Sequence, residues 1–193
     1  MIKKHYYSWT DIERMCVSIV NQMYKDNWRP DYIVGLTRGG NVPATIISNM
    51  TGIRCEALKV SLRDDDSESE SNCWMAEDAF GYDDYKLQAH NQNIQASAGV
   101  EIVTLENKHN ILIVDDINDT GATFNWIMED WQKSCLPDDP RWSNVWGQNV
   151  RFATLTDNLA SEFKGQCAYT CHEINKAEED VWLVYPWENV GEY

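Results

Sequence analysis

The sequence predicts an α/β fold: a central, mainly parallel β-sheet flanked by helices. Three observations carry this. Short apolar runs alternate along the chain with segments of helical periodicity, the pattern of βα units. The run Ile111-Leu112-Ile113-Val114 is continuous, rich in β-branched residues and short, as in a strand buried on both faces. Glycine- and hydroxyl-bearing segments follow two of the apolar runs, at residues 37–41 and 118–121, where βα turns belong.

Taken in order, Thr10 and Glu13 have capping-box spacing, and Ile12, Cys16, Ile19, Val20 and Met23 recur on one helical face. A helix is expected over 10–26. Residues 32–36 read as a buried strand, 42–50 as a helix capped by Gly52, and 53–62 as a second strand. Residues 100–105 and 111–114 are further strands, and a helix follows over 122–135. A long connection spans 136–147. A strand over 149–156, a short helix over 159–163, and strands over 168–171 and 181–185 complete the pattern.

Residues 64–85 differ from everything else. They hold nine acids and no Lys or Arg, and 63–72 contain no apolar residue, so that stretch is expected to be mobile and outside the core. The chain has 193 residues, 31 acidic and 16 basic, for a net charge of −15. With those nine acids set aside, 22 acids face 16 bases, a net of −6. This charge excludes nucleic acid as a partner, since little here would replace phosphate counterions, and it disfavours anionic membranes. No run reaches the ~18 apolar residues of a membrane span, and the start lacks the apolar stretch of a signal peptide, so the chain reads as cytoplasmic. The six cysteines include no CxxC pair and read as free thiols; Cys167, Cys171 and His172 form only a weak metal cluster.

The chemistry concentrates in Asp115-Asp116-Ile117-Asn118-Asp119-Thr120-Gly121-Ala122-Thr123. Two carboxylates stand at the carboxyl end of a buried strand, where open α/β sheets bind ligands. Backbone amides, hydroxyls and a glycine then open a helix, an arrangement that cradles phosphate. Acids beside such a cradle make sense if they bind sugar hydroxyls, hold Mg²⁺ or accept a proton. A phosphoacceptor receiver domain also places an acidic pair after an apolar strand, with Asp157 as its later aspartate. That reading leaves Thr120-Gly121-Ala122-Thr123 and the roughly hundred upstream residues unexplained.

The segment resembles the signature of type I phosphoribosyltransferases, which use 5-phospho-α-D-ribosyl 1-diphosphate (PRPP). Thr37-Arg38-Gly39-Gly40-Asn41-Val42-Pro43 resembles the diphosphate loop of the bacterial xanthine-guanine branch, and Val181-Trp182-Leu183-Val184-Tyr185-Pro186-Trp187-Glu188 resembles the base-binding end of purine members. The likeness covers roughly residues 5–62 and 108–190. It implies one domain over 1–193, with a core of about 28–165, a small hood from the N-terminal segment and about 166–193, and an acidic, mobile insert of about 63–99.

The implied activity is Mg²⁺-dependent transfer of phosphoribosyl from PRPP to a purine-like base, in nucleotide salvage. By resemblance, Asp115 and Asp116 take the ribose hydroxyls and Mg²⁺. Asp119, Thr120, Gly121, Ala122 and Thr123 hold the 5′-phosphate, and Asp119 is also the general base. Thr37, Arg38 and Gly39 meet the diphosphate. Trp182, Leu183 and Asp157 form the base region, with Trp182 stacking on the ring. Two departures stand out. No lysine follows the strand at 151–156, where purine members carry one that reads a base carbonyl, and no tyrosine follows Ser61 in the lid region. A lid that is disordered or turned away without ligand is expected there. The alternative is a non-catalytic PRPP- or nucleotide-binding regulator on the same fold. Family members are commonly dimers or tetramers, and exposed tryptophans around 126–146 are the expected interface of a homo-oligomer.

Overall fold

The computed structural model describes residues 3–60, 73–82, 108–179 and 181–188. The elements, in chain order, are β1 (Lys3–Tyr6), α1 (Trp9–Lys25), β2 (Tyr32–Thr37), α2 (Asn41–Thr51), β3 (Cys55–Lys59), α3 (Cys73–Phe80), β4 (Ile111–Asn118), α4 (Ala122–Ser134), a 3₁₀ turn (Pro140–Asn144), β5 (Val150–Asn158), β6 (Cys167–Ile174) and β7 (Val181–Val184). The expected strand over 100–105, the expected mobile stretch 63–72 and most of the insert lie outside the described residues.

The five-stranded sheet has the order β3-β2-β4-β5-β6, and every neighbouring pair is parallel. Its continuous apolar runs serve two cores at once. Ile33, Leu112, Val114, Ala153 and Leu155 face α1 and α2, while Tyr32, Val34, Ile111, Ile113 and Phe152 face α3 and α4. The period-two alternation of a strand explains this, and it is why no polar residue interrupts 111–114. The Val, Leu, Ile and Phe side chains among them each contribute roughly 1.5–3 kcal/mol when fully buried.

Helix α1 starts two residues earlier than the Thr10–Glu13 spacing implies. Ser8 is the N-cap: its side chain accepts from Asp11 N–H, and the Asp11 carboxylate takes the Ser8 N–H, a reciprocal box two residues upstream. Ile12, Cys16, Ile19 and Met23 are its buried stripe. Helix α2 ends on Gly52 at φ 71°, as expected.

Four expectations need correction. The segment 159–163 is not helical. Asn158 Oδ1 accepts from Ala160 N–H and Ser161 Oγ accepts from Phe163 N–H, local side-chain bonds that satisfy the backbone without a helix. Residues 73–80 of the acidic stretch form α3, which packs Met75, Ala76, Ala79 and Phe80 into the second core beside α4. Strand β6, which a hood of about 166–193 would contain, pairs instead with β5 as the edge of the main sheet; the separate two-stranded sheet is β1 with β7.

The tryptophans of 126–146 do not offer an exposed face. Trp131 and Trp142 are buried, and Trp126 and Trp146 pack partly buried against them; Trp142 stacks on Trp146 with ring centroids 5.5 Å apart. Truncating Trp131 to Ala should therefore lower unfolding free energy by about 3–5 kcal/mol, measured by denaturant titration. A loss below ~1 kcal/mol would mean that this cluster is not part of the core.

All six cysteines are free thiols. Cys167 lies near the Asp157 carboxylate while Cys171 bonds the Met15 carbonyl, so they do not converge with His172. Among the described residues no group of three or more His, Cys, Asp or Glu could hold a metal, and no helix is long and apolar enough to cross a membrane.

Candidate active site

The site forms at the carboxyl ends of β2 and β4, where their loops meet. After β4 the chain runs through Asp119 and Thr120 to Gly121, the N-cap of α4. Gly121 has φ 83°, a conformation L side chains rarely adopt, and a Cβ there would lie 2.3 Å from the Phe163 nitrogen. No side chain caps α4 across this glycine; the Thr120 hydroxyl accepts from Ala122 N–H. Asp115, Asp116, Asp119, Thr120, Gly121, Thr123 and Phe124 are among the residues enclosing a cavity of about 210 Å³ at this helix start. Hydroxyls, backbone amides and the positive end of the helix dipole make it an anion cradle.

The loop after β2 lies directly on the acidic pair. A Cβ on Gly39 would sit 1.9 Å from Asp116 Oδ2, and one on Gly40 would sit 2.4 Å from the Val114 carbonyl oxygen and 2.7 Å from Asp115 Cα. The glycines are therefore needed for close approach. Gly40→Ala meets backbone on both sides, so the loop must lift. We expect a stability loss of about 1–3 kcal/mol in thermal unfolding, as for other overpacked positions; an unchanged melting temperature would show that the loop has room.

Both carboxylates of the pair keep a narrow exposure to the cavity but sit in low-dielectric surroundings. Burial raises the pKa of Asp115 well above the ordinary carboxylate value, and the neighbouring Asp116 charge adds to this. Burial also raises the pKa of Asp116, partly offset by its hydrogen bonds. Asp115 Oδ1 accepts from Asp116 N–H at 2.9 Å, and Asp116 Oδ1 from Ile117 N–H at 2.9 Å.

A second, larger cavity of about 680 Å³ lies beside the first. Arg38, Gly39, Val42, Asp116, Trp182, Trp187 and Glu188 line it. Trp182 is 54% exposed on β7. Trp187 arrives through a tight turn, in which Glu188 N–H donates to the Tyr185 carbonyl and the Glu188 carboxylate accepts from Tyr185 N–H. Asp116 borders both cavities.

The other sequence-expected residues fall as follows. Arg38 is exposed at the larger cavity, next to a cis Thr37–Arg38 peptide. The Thr37 hydroxyl faces β3, donating to the Leu58 carbonyl, and Thr37 lines neither cavity. The side chain of Leu183 is buried in the first core. The Asp157 carboxylate accepts from Asn118 Nδ2 at 2.8 Å and lines neither cavity.

Three residues at the site carried no sequence signal strong enough to single them out. Trp187 and Glu188 sit in the quoted terminal motif without an assigned role. Lys176, just past β6, places Nζ 2.9 Å from Asp119 Oδ1. The buried amide of Asn158 holds both partners: its Nδ2 donates to the Asp119 carbonyl at 2.8 Å and its Oδ1 accepts from Lys176 N–H at 3.0 Å. Lys176 lies 57 positions from Asp119 and on a different strand connection, so no local spacing joins them. Lys164 is elsewhere, paired with Glu129.

A family model of the phosphoribosyl transferase domain matches residues 2–187. The chain is 22% identical over 204 residues to xanthine phosphoribosyltransferase 1 of Saccharomyces cerevisiae, covering 96% of this chain and 90% of that protein. It is 26% identical to a hypoxanthine-guanine phosphoribosyltransferase of Schizosaccharomyces pombe, covering 95% and 88%. Among solved structures it is similar to a purine phosphoribosyltransferase from Pyrococcus horikoshii, with TM-score 0.58, 19% identity and coverage of 98% and 97%. It is also similar to a Neisseria gonorrhoeae protein with bound ppGpp, with TM-score 0.59, 17% identity and coverage of 98% and 92%. A five-stranded parallel sheet, a glycine-opened helix start after an acidic pair and a family match across nearly the whole chain agree: the protein belongs to the type I phosphoribosyltransferase family.

Proposed function

We propose that the protein is a Mg²⁺-dependent phosphoribosyltransferase that moves phosphoribosyl from PRPP to a ring nitrogen of a purine-like base and releases pyrophosphate, in nucleotide salvage. One observation carries the reading: Asp116 is shared by an anion cradle and an aromatic-walled cavity. A ligand with phosphate at one end and a reacting sugar carbon at the middle would span that boundary, and a planar acceptor would fill the second cavity.

In this reading Asp115 and Asp116 hold the ribose hydroxyls. Thr120, Gly121, Ala122 and Thr123 take the 5′-phosphate through amides and hydroxyls. Arg38 and the backbone at Gly39 meet the diphosphate, with Thr37, at the end of β2, tied to β3 through the Leu58 carbonyl. Trp182 and Trp187 form the wall against which a heterocycle stacks. Leu183, its side chain committed to the core, contributes only backbone, and Asp157 acts through Asn118. The bond from C1 to the diphosphate oxygen breaks, a bond from C1 to the ring nitrogen forms, and Asp119 takes the proton from that nitrogen.

The donor set fits Mg²⁺. Two hard carboxylates are present, and among the described residues no group of three metal ligands forms; Mg²⁺ commonly binds through one or two carboxylates plus substrate phosphates. Burial disfavours the charged forms of this pair, and a divalent cation beside them would favour their ionisation. When bound, Mg²⁺ neutralises the diphosphate and stabilises its departure.

The second reading, a nucleotide-binding regulator, draws on the ppGpp-bound neighbour and on the absence of a lysine directly after β5. A turnover assay with PRPP, Mg²⁺ and a panel of purine and pyrimidine bases separates the two. Pyrophosphate release that requires one particular base supports transfer. Tight PRPP binding with no release from any base would sink it and favour the regulator.

A further inference from the structure

Beneath the larger cavity a line of buried polar groups crosses four strands and both sheets. Tyr185, just past β7, is 2% exposed; its Oη donates to the Asp116 carbonyl at 3.1 Å and lies 3.1 Å from Thr156 Oγ1. Thr156, on β5, is fully buried, and its hydroxyl also meets Tyr7 Oη at 3.3 Å. Tyr7, following β1, in turn bonds His172 Nδ1 on β6. The rings are stacked as well. Tyr7 lies on Tyr185 with centroids 5.2 Å apart and planes at 21°, and Tyr185 lies on Trp187 at 5.0 Å and 8°.

No core needs this arrangement for burial alone: phenylalanine would fill the same volume, and burial of two phenols with a threonine is unfavourable unless they are bonded. Tyr185, at one end of this line, meets both the acidic pair and the aromatic wall. The hydroxyl of Tyr185 holds the backbone of Asp116, and the ring of Tyr185 supports Trp187, which lines the cavity where Asp116 also appears.

We propose that Tyr185, anchored by Thr156 and Tyr7, is a positioning residue that fixes the acidic pair and the aromatic wall relative to each other, setting the donor end through its hydroxyl and the acceptor end through its ring. This rests on the transferase reading above. It predicts a separation of effects that a purely structural tyrosine would not produce. Tyr185→Phe keeps the ring and deletes the tie to Asp116. Dissociation constants for PRPP and for inorganic diphosphate, each with Mg²⁺, should rise about tenfold, the effect of one buried hydrogen bond, while base KM stays within about twofold. Thr156→Val should give a smaller shift of the same kind, and the double variant should be no worse than Tyr185→Phe, because the hydroxyls act as one unit.

The measurements are calorimetric titration of both donors and initial rates at varied base. Unchanged donor affinity in Tyr185→Phe overturns the inference alone, as does an equal weakening of donor and base, or additive effects in the double variant. Wild-type protein that binds neither PRPP nor diphosphate with Mg²⁺ overturns the transferase reading and the inference together.

Discussion

Asp119→Asn is expected to lower the rate of transfer by about 10²–10⁴-fold while leaving Mg²⁺–PRPP affinity within a few-fold of wild type. The side chain is nearly isosteric, and Asn158 Nδ2 holds the residue-119 carbonyl at 2.8 Å against a longer 3.5 Å to its carboxylate, a bond an amide oxygen can also accept, so the loop keeps its course. What the amide lacks is the capacity to accept a proton from the attacking nitrogen. Lys176 loses its counter-ion, but both side chains are partly open to solvent, at 25% and 45%, so the stability change should be at most about 1 kcal/mol. Steady-state kinetics with the active base, beside a PRPP titration and a melting curve, separate these contributions. Full turnover in the variant would remove Asp119 from the chemistry; collapse of PRPP binding would recast it as a ligand for the donor.

The second large effect runs in opposite directions for stability and binding. Asp115→Asn should raise the melting temperature of the ligand-free protein near pH 7 by a few degrees, corresponding to about 0.5–2 kcal/mol, and abolish measurable Mg²⁺–PRPP binding. Asp115 and Asp116 hold their protons more tightly when folded than unfolded, chiefly because burial disfavours the charged form. As pH climbs past the unfolded carboxyl value of about 4 towards the raised folded values, the folded chain is the state carrying the extra protons. Stability contributed by this pair is therefore present at low pH and lost as pH rises through that window. Asparagine at 115 removes one of the two charges and retains an oxygen that can accept from Asp116 N–H. The wild-type curve should fall more steeply than the variant's between mildly acidic and neutral pH, with Mg²⁺–PRPP restoring the wild type only. A variant less stable than wild type at pH 7 would show that the carboxylate is satisfied as it stands.

Much of this architecture is visible in the sequence because it rests on local chemistry. The run at 111–114 announces a doubly buried strand, and β4 is found there with Asp115 and Asp116 at its carboxyl end. Gly121 announces the start of α4. The misplaced cap of α1 is a competition between two nearby boxes, and Ser8 with Asp11 prevails because the helix already begins at Trp9. The tryptophans of 126–146 mislead for another reason: composition does not say which way a bulky ring points, and here the 3₁₀ turn folds Trp142 back onto the core. Lys176, Trp187 and Tyr185 belong to a different category. Their roles come from contacts between the tail of the chain and loops more than fifty positions away, which no window along the sequence contains.

The small sheet of β1 and β7 has a consequence for how the protein is made. Lys3 pairs with Val181 and Tyr6 with Val184, so during synthesis β1 waits for a strand that follows it by 178 positions. The five-stranded sheet can close from residues 32–174, but among the described residues β1 pairs only with 181–184. Contacts of such long separation form late and slowly. The loops after β2 and β4 should thus be in place on a nascent chain that still lacks Trp182 and Trp187, two of the residues lining the larger cavity.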